Sequence, residues 1–467
     1  MRQDAGFAAF HLAFVPPGLA LLYALGFVRR AREVPAAIGP AYVAGLAVVL
    51  TPLILLLVLG TGVKLPALAA VSFVATLALG VVGWVRRERV EPVELEPPAT
   101  RLETWIVRIG IGVLSVFFTL TATAFSKAPT VGDDWAFWSY KGVAFFQLDG
   151  KLDPLVFTGT DPGPAHPHYP VLQPLLESLF FRSVDDIQLQ EWHVVLWVFF
   201  AAVVWTMLWL ARTRGFPLLI VLIPVAALAI SDRSHRIVEI GYADVTVAGF
   251  VGVGALAVGL WLNGGGARYL VLAGVVLAAA ANTKNEGLVA AVAILVVAGA
   301  TTIITRRGGW RPLLAAGAIF GAGVLPWMLW RGSHDIKSKD VPPLGEALEW
   351  DYLGDRFDRV PKAFSGLFDK FGDVGHWSFL VPCLLALAIT CLVRGVARRE
   401  AGFYLGSATL MVLGLVFVYW TGYLEIDYWL ENSADRTVAS VVYICAAGVI
   451  HLTALIMATI RPAATPP

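Results

Sequence analysis

Two adjacent carboxylates begin the stretch whose residue types are best suited to chemistry. Asp133 and Asp134 follow a long apolar run and precede Trp135, Trp138 and Lys141. Adjacent carboxylates oppose each other's ionisation, and burial raises the pKa of one of them, as a general base requires. The alternative is a helix N-cap with acids in its first turn, stabilised by the helix dipole. The pair, taken with the aromatic residues, favours the catalytic interpretation.

The same stretch predicts a short helix with one functional face. Asp134, Trp138 and Lys141 are spaced i, i+4 and i+7, so they share that face. Lys141 is then either a structural salt-bridge partner or a contact for a substrate phosphate beside the base. Trp135 and Trp138 are assigned to substrate binding.

A histidine pair follows in the same segment. His166, His168 and Tyr169 stand among prolines in a predicted irregular loop. His-x-His can chelate a metal ion, but no third ligand follows at a characteristic spacing. Hydrogen bonding to substrate or phosphate is therefore favoured, with loop packing as the alternative for one histidine. A metal ion could be accommodated, but no cofactor is required.

Composition identifies the solvent of this chain as lipid. Of its 467 residues, 58% are hydrophobic and 15% are charged, and its mean hydropathy is +0.72. A soluble protein of this length could not bury so much apolar surface. The net charge of +1 argues against a nucleic-acid partner. The three cysteines lie in apolar runs and indicate neither a disulfide framework nor a zinc site.

Apolar runs predict an all-α polytopic protein with about thirteen transmembrane helices, each needing ~20 residues. Arginine clusters fall in alternate loops, which the positive-inside rule assigns to the cytoplasm. The N-terminus is then outside and the C-terminus inside. The predicted spans are 7–28, 38–60, 66–85, 104–125, 189–211, 216–231, 242–262, 268–282, 287–305, 311–331, 377–394, 401–421 and 437–460.

Every polar cluster that ordinary loop composition does not explain falls in one of the predicted exoplasmic loops. The two large ones are 130–186 and 332–376. A charged linker ends a leading unit of three spans, 1–103, and a catalytic core of 104–467 follows. This arrangement predicts an active site on the exoplasmic face.

Two arginines lie against the positive-inside bias in a short predicted exoplasmic loop. Arg233 and Arg236 therefore need an anionic partner, which could be Glu239, Asp244 or a substrate phosphate. Asp244 begins a span and would be unfavourable facing lipid, so it is predicted to face the protein interior. The alternative is an internal ion-pair network without a substrate.

Two more cations belong to the same predicted face. Lys284, followed by Glu286, can reach a phosphate from the membrane edge, or its side chain extends to the interface. Arg436 can bind phosphate oxygens with two parallel hydrogen bonds, or it pairs with Asp435 or Glu431. Together these cations surround the acid pair.

In this order the motifs resemble the GT-C superfamily of integral-membrane glycosyltransferases, which use polyprenyl-phosphate sugars. The sequence 133–141 is similar to the bacterial Asp-x-Trp-x-x-Trp-x-x-Lys motif, with Asp133 at the base position. The sequence 166–170 resembles the His-Pro-x-Tyr-Pro motif of the same loop. Weaker echoes of later signatures are Gly241-Tyr242-Ala243-Asp244, Thr283-Lys284-Asn285-Glu286-Gly287, and Ser433 with Arg436.

The resemblance implies a single displacement at the anomeric carbon with inversion. Asp133, or Asp134, would take the proton from the hydroxyl of a glycan, lipid or protein acceptor. Cations would stabilise the departing lipid phosphate, and the enzyme would work in the plasma membrane. The candidates for this contact are Lys284, Arg436, Arg233, Arg236 and Lys141, with Glu239, Asp244 and Glu286 in the substrate site.

A transporter or lipid flippase is the alternative from another class. Transporters concentrate polar residues near the midplane of the bilayer and often consist of repeated halves. Here the polar groups lie at span ends and no repeated half is evident. A polysaccharide polymerase or ligase is a third interpretation, which the acid pair disfavours.

Overall fold

The computed structural model is helical and contains no β-strand within the residues it describes. The predicted all-α class is therefore confirmed for this part of the chain. Asp133, the predicted base, lies outside it. The described residues are 2–88, 100–129, 134–158, 166–306 and 309–460.

The described helices are numbered in chain order. Before the first loop region lie α1 (Arg2–Leu12), α2 (Val15–Ala24), α3 (Val34–Val58), α4 (Leu65–Arg86) and α5 (Arg101–Phe125). Next come α6 (Tyr140–Gln147), α7 (Pro154–Thr158), α8 (Leu172–Val184), α9 (Leu189–Arg212), α10 (Leu218–Ala229), α11 (Asp232–Ile240), α12 (Asp244–Leu262), α13 (Arg268–Thr283), α14 (Asn285–Thr305) and α15 (Trp310–Ser333). The remainder are α16 (Leu344–Ala347), α17 (Trp350–Gly354), α18 (Arg359–Phe371), α19 (Val374–Trp377), α20 (Leu380–Arg394), α21 (Arg398–Thr421), α22 (Ile426–Trp429), α23 (Asp435–Thr437) and α24 (Ala439–Ile460). Two π-helical turns, Asp134–Ser139 and Leu430–Ala434, and one 3-10 turn, Ala31–Glu33, complete the set.

The described helices support a multi-pass membrane protein, although they do not confirm the count of thirteen spans. Ten helical stretches are long and apolar enough to cross a bilayer, or eleven if the pair α10 and α11, bent by 48°, forms one span. The predicted spans 216–231, 268–282 and 377–394 correspond to α10, α13 and α20. These helices have 12, 16 and 15 residues, fewer than the ~20 that cross a bilayer without strain or thinning.

Apolar faces on the outside of the bundle identify the lipid-facing helices. Along α4 and α5, large side chains such as Phe73, Trp84 and Leu120 are exposed. Contiguous apolar surfaces of this length are unstable in water and are typical of contact with lipid tails. These two helices therefore lie at the periphery of the bundle.

Helix α12 lies at the centre of the bundle, and all of its residues are buried. It packs against α9, α13 and α24. Close approach depends on small residues, because a Cβ on Gly249 would lie 2.8 Å from a side-chain atom of Val203. The helix begins at Asp244, so the central helix carries a carboxylate to its own N-terminal end.

The leading helices pack directly on the rest of the bundle. Helix α3 contacts α9 and α13. Trp205 in α9 donates a hydrogen bond of 2.8 Å from its indole N–H to the carbonyl of Ala36. Phe10 in α1 meets Phe180 in α8 edge to face, with 5.5 Å between ring centroids. Helix α3 therefore supports α9 and α13, which both lead to the candidate site.

Loops between α5 and α9, between α15 and α20, and between α21 and α24 meet at one end of the bundle, here called the loop-rich end. The backbone N–H of Tyr423 donates to the carbonyl of Asp340 over 2.8 Å, and His166 contacts the Asp340 carboxylate. The short link between α3 and α4 also contacts the first loop, through a 2.7 Å ion pair between Lys64 and Asp149. Segments far apart in the sequence thus build one surface.

Candidate functional site

A cavity of roughly 200 Å³ opens at the loop-rich end, and we call it the loop cavity. Its walls come from the first loop, the junction of α13 and α14, the second large loop, α21 and the segment before α24. The polar lining residues are His166, His168, Tyr169, Lys284, Asn285, Glu286, Ser338, Asp340, Tyr419, Tyr428, Asn432, Ser433, Arg436 and Thr437. Its apolar lining residues are Phe137, Val289, Val341, Leu415, Val418, Leu424 and Trp429.

Lys284 lies at the break between α13 and α14 and is almost fully buried. Its extended backbone, with φ −156° and ψ 155°, separates the two helices. The ammonium lies 2.8 Å from an oxygen of Asp244 and 3.0 Å from one of Glu286. Burial alone would lower the pKa of Lys284, but these two carboxylates raise it, so the lysine stays charged. The prediction that Asp244 faces the protein interior is confirmed.

Arg436 enters the loop cavity from the segment that precedes α24. Its guanidinium lies 4.5 Å from the centroid of the Tyr242 ring, a cation–π distance. The π-helical turn before it places Ser433 beside Tyr419, with 2.7 Å between their hydroxyl oxygens. Tyr419 is also 3.2 Å from the hydroxyl of Thr437. This wall therefore combines a cation with a row of hydroxyl groups.

A stack of aromatic rings positions the histidine pair. Trp138 stacks on Tyr169 with 5.5 Å between centroids, and Tyr169 stacks on His166 at 4.8 Å. His166 Nδ1 thereby faces the Asp340 carboxylate and contacts it. His168 Nε2 lies 3.5 Å from the same carboxylate. Burial lowers the pKa of His168 to about 3, so its ring is neutral at physiological pH.

Lys141 binds the backbone of the first loop and does not line the loop cavity. Its side chain is fully buried in α6, and its ammonium donates a 2.8 Å hydrogen bond to the carbonyl of His166. Burial lowers the pKa of Lys141 to about 7. Among the described residues no carboxylate pairs with it, and it does not line the loop cavity. Lys141 instead holds the chain at His166, whose φ of 52° is unusual for a residue with a side chain.

Asp134 points away from the loop cavity into a buried acid–histidine cluster, formed by Asp134, Glu177 and His193. The Ser139 hydroxyl donates to one oxygen of Asp134 over 3.1 Å. The other oxygen lies 3.5 Å from His193 Nε2 in α9. All three side chains of the cluster are inaccessible to solvent. Burial raises the pKa of Asp134 despite these neighbours.

Two glycines make room for this cluster. A Cβ on Gly241 would lie 2.4 Å from an oxygen of Asp134, and the φ of Gly241 is +85°. A Cβ on Gly142 would lie 2.6 Å from an oxygen of Glu177. Any larger residue would displace a buried carboxyl group. Steric exclusion of a side chain by the Asp134 carboxyl group therefore explains why the Gly241-Tyr242-Ala243-Asp244 signature begins with glycine.

Glu177 should make stability depend on pH. Neither of its buried oxygens has a hydrogen-bond partner among the described residues, and burial raises its pKa well above the ordinary 4.5. Because the folded state keeps this proton after the unfolded state has lost it, stability falls as pH rises above 4.5, by about 1.4 kcal/mol per pH unit. The fall ends at the pKa of the folded state.

We therefore expect Glu177→Gln to make the unfolding free energy fall less steeply with pH. The difference in slope should correspond to the one proton that Glu177 holds, about 1.4 kcal/mol per pH unit. Equilibrium unfolding in mixed detergent micelles from pH 4.5 to pH 7 measures this slope. The matched control is Glu349→Gln, because Glu349 is exposed and should leave the slope unchanged. A wild-type slope that Glu177→Gln does not alter would contradict a protonated Glu177.

Besides Asp134, Trp138, Lys141 and Asp244, four predicted site residues among those described lie outside the lining of the loop cavity. Arg233 in α11 pairs with Asp435, which also accepts from Lys370 over 3.1 Å. Arg236 forms an exposed pair of 3.0 Å with Glu239. Trp135 projects outward and is 57% exposed. For the two arginines, the structure matches the alternative of an internal ion-pair network.

Asp340, Glu177 and His193 are among the polar side chains of this region that were not predicted. Asp340 lies in the second loop, 174 residues after His166, with no local motif to mark it. Glu177 and His193 lie within apolar stretches of α8 and α9 and become partners of Asp134 only on folding. A charged residue inside an otherwise apolar helix is the one signal that could have identified them.

The loop cavity joins an apolar wall to a wall of charged and hydroxyl groups. Val289, Leu415 and Val418 form part of the first, and Lys284 and Arg436 belong to the second. Such a cavity suits an amphiphilic anion, whose phosphate meets the cations while its chain meets the apolar residues. Comparisons of this chain with protein-family models, with curated proteins and with solved structures found no match.

Proposed function

We propose that this protein is a membrane glycosyltransferase that transfers a sugar from a polyprenyl-phosphate donor to a glycan, lipid or protein acceptor. The observation that carries the proposal is the loop cavity, where Lys284 and Arg436 share one space with His166 and Tyr169. These four residues belong to the motifs that resemble the GT-C superfamily. The arginine distribution supports an exoplasmic location for this end.

The donor phosphate would bind between Lys284 and Arg436. Lysine offers a compact charge and arginine a planar pair of donors, and both suit phosphate oxygens. The polyprenyl chain would lie along Val289 and Val418, which belong to α14 and α21 and form part of the apolar wall of the loop cavity. Because the leaving phosphate gains charge during transfer, the cations stabilise the transition state more than the bound donor.

Asp133 would act as the base that takes the proton from the acceptor hydroxyl. This choice follows the register of the motif and is supported by the burial of Asp134, whose carboxylate faces His193 and Ser139. Asp134 would then anchor the loop that carries the base. The proton passes to Asp133 as the acceptor oxygen bonds to the anomeric carbon, while the bond to the phosphate oxygen breaks.

Arg436→Gln should lower kcat/KM for sugar transfer by about 10- to 100-fold, because a hydrogen bond to a charged group contributes about 1.5–3 kcal/mol. Transfer of labelled sugar from polyprenyl-phosphate donors by the purified protein in liposomes measures this effect. Arg236→Gln is the matched control, since Arg236 is exposed and lies outside the lining of the loop cavity. Equal activity of both variants and the wild type would argue against a phosphate site at Arg436.

A further inference from the structure

Three side chains of metal-ligating type meet on one wall of the loop cavity. His166 and His168 come from the first loop, and Asp340 comes from the second. One ligand atom from each lies within 4.8 Å of the other two. Only the two histidines are close together in the sequence; folding brings Asp340 beside them as the third candidate ligand.

The distances suit a small divalent ion. Zinc lies about 2.0–2.2 Å from imidazole nitrogen and carboxylate oxygen, so tetrahedral ligand atoms are separated by roughly 3.4 Å. His168 Nε2 and the Asp340 oxygen are already 3.5 Å apart. His166 Nδ1 contacts the same oxygen directly and needs only a small movement to admit an ion between them.

The surroundings hold these three groups in place. Tyr169 stacks on the His166 ring, and Lys141 binds the His166 carbonyl. The backbone N–H of Asp340 donates to the Ser338 hydroxyl over 3.1 Å, and the Tyr169 ring meets the His168 ring edge to face, with 4.7 Å between centroids. Ligands whose orientation is fixed by neighbouring contacts bind a metal with little reorganisation.

We propose that His166, His168 and Asp340 bind one divalent transition-metal ion of the zinc class and leave its remaining coordination position open to the loop cavity. Two imidazole nitrogens and one carboxylate oxygen are a ligand set of catalytic zinc sites, which keep such an open position. There the ion takes a phosphate oxygen of the donor and stabilises the negative charge of the leaving group. This last role depends on the proposed function, whereas metal binding does not.

The test uses the full-length protein in detergent, first stripped by a chelator and then titrated with Zn²⁺. We expect one tightly bound zinc per chain by elemental analysis after removal of free metal. His168→Gln and Asp340→Asn should each weaken binding by more than about 100-fold, since even residues that only orient metal ligands contribute 10- to 100-fold. X-ray absorption at the zinc edge should show two imidazole ligands in the wild type.

His334→Gln is the matched control. His334 lies in the second large loop, as Asp340 does, but its side chain is exposed and stacks on Trp330. It should retain one equivalent of zinc. If Asp340→Asn does not fold, His166→Gln replaces it, because the His166 side chain is partly exposed and is the easier to alter. Absence of bound zinc in the wild type, or full retention of zinc by His168→Gln, would overturn the proposal.

Sugar transfer is measured separately, so the two proposals can fail independently. Zinc bound at this site without any transfer would leave the metal site standing and remove the proposed function. Transfer by the fully stripped enzyme at the wild-type rate, with no zinc bound on titration, would remove the metal site and leave the function.

Discussion

Lys284→Met should destabilise the protein by about 3–5 kcal/mol, because it leaves buried carboxylates without their cation. The ammonium is the shared partner of Asp244 and Glu286, at 2.8 Å and 3.0 Å. Asp244 is also buried at the start of the central helix α12, so its charge has no access to solvent. Equilibrium unfolding in mixed micelles measures the loss, and the same variant should lose sugar transfer.

Lys362→Met is the matched control for this prediction. Lys362 forms a pair of 3.2 Å with Asp427, but both side chains are largely exposed, at 50% and 79%. Exposed pairs contribute only about 0–1 kcal/mol. A loss of less than 1 kcal/mol in Lys284→Met would show that the two carboxyl groups do not depend on Lys284.

Asp133→Asn should reduce sugar transfer by about 10²–10⁴-fold, since removal of a general base has an effect of this size. Asp134→Asn should retain transfer within about tenfold, because an amide oxygen can still accept from Ser139. The measurement is the initial rate of label transfer with both variants at equal amounts of folded protein.

Asp351→Asn provides the control for these two variants, since Asp351 is exposed on α17 at the same end of the bundle. It should transfer sugar at the wild-type rate. A larger loss in Asp134→Asn than in Asp133→Asn would exchange the two roles, and full activity of both would remove the acid pair from the mechanism.

The sequence predicts well those features that depend on local chemistry. An aspartate at the head of an apolar span is unfavourable in lipid, so Asp244 had to face the interior, and it does. The helical spacing of Trp138 and Lys141 also predicts that both face the same way, and the Lys141 ammonium lies 5.9 Å from the centroid of the Trp138 ring. Asp134 was assigned to the same face, but it begins a π-helical turn and its carboxylate contacts His193. The residues Lys284 and Arg436 meet at one cavity, as their common side of the membrane implied.

Partners that depend on the packing of distant segments could not be predicted in this way. Nothing near His166 in the sequence indicates Asp340, because the loop that follows α5 and the loop that follows α15 meet only in the folded chain. The role of Lys141 was uncertain for the same reason, since its acceptor is a backbone carbonyl. Because every residue has a backbone carbonyl, the types of residue in the sequence do not indicate which carbonyl accepts a hydrogen bond.

The number of spans was difficult to predict because hydropathy measures the apolar character of a segment and not the length of its helix. The run 216–231 is apolar up to Ser231, yet α10 ends at Ala229 and the chain bends by 48° into α11. Ser231 and Asp232 begin the second helix with polar groups, which favour a helix start over continuation. The count therefore depends on local capping as well as on composition.

The central claim is tested most directly by sugar transfer in reconstituted liposomes. Wild-type protein is incubated with a panel of labelled polyprenyl-phosphate sugars and a membrane extract as acceptor pool. We predict transfer of label to the acceptor with release of polyprenyl phosphate, at a rate that is about 10²–10⁴-fold lower for Asp133→Asn. Absence of transfer by the wild type from every donor, with movement of intact donor across the bilayer, would contradict the account and identify a lipid transporter.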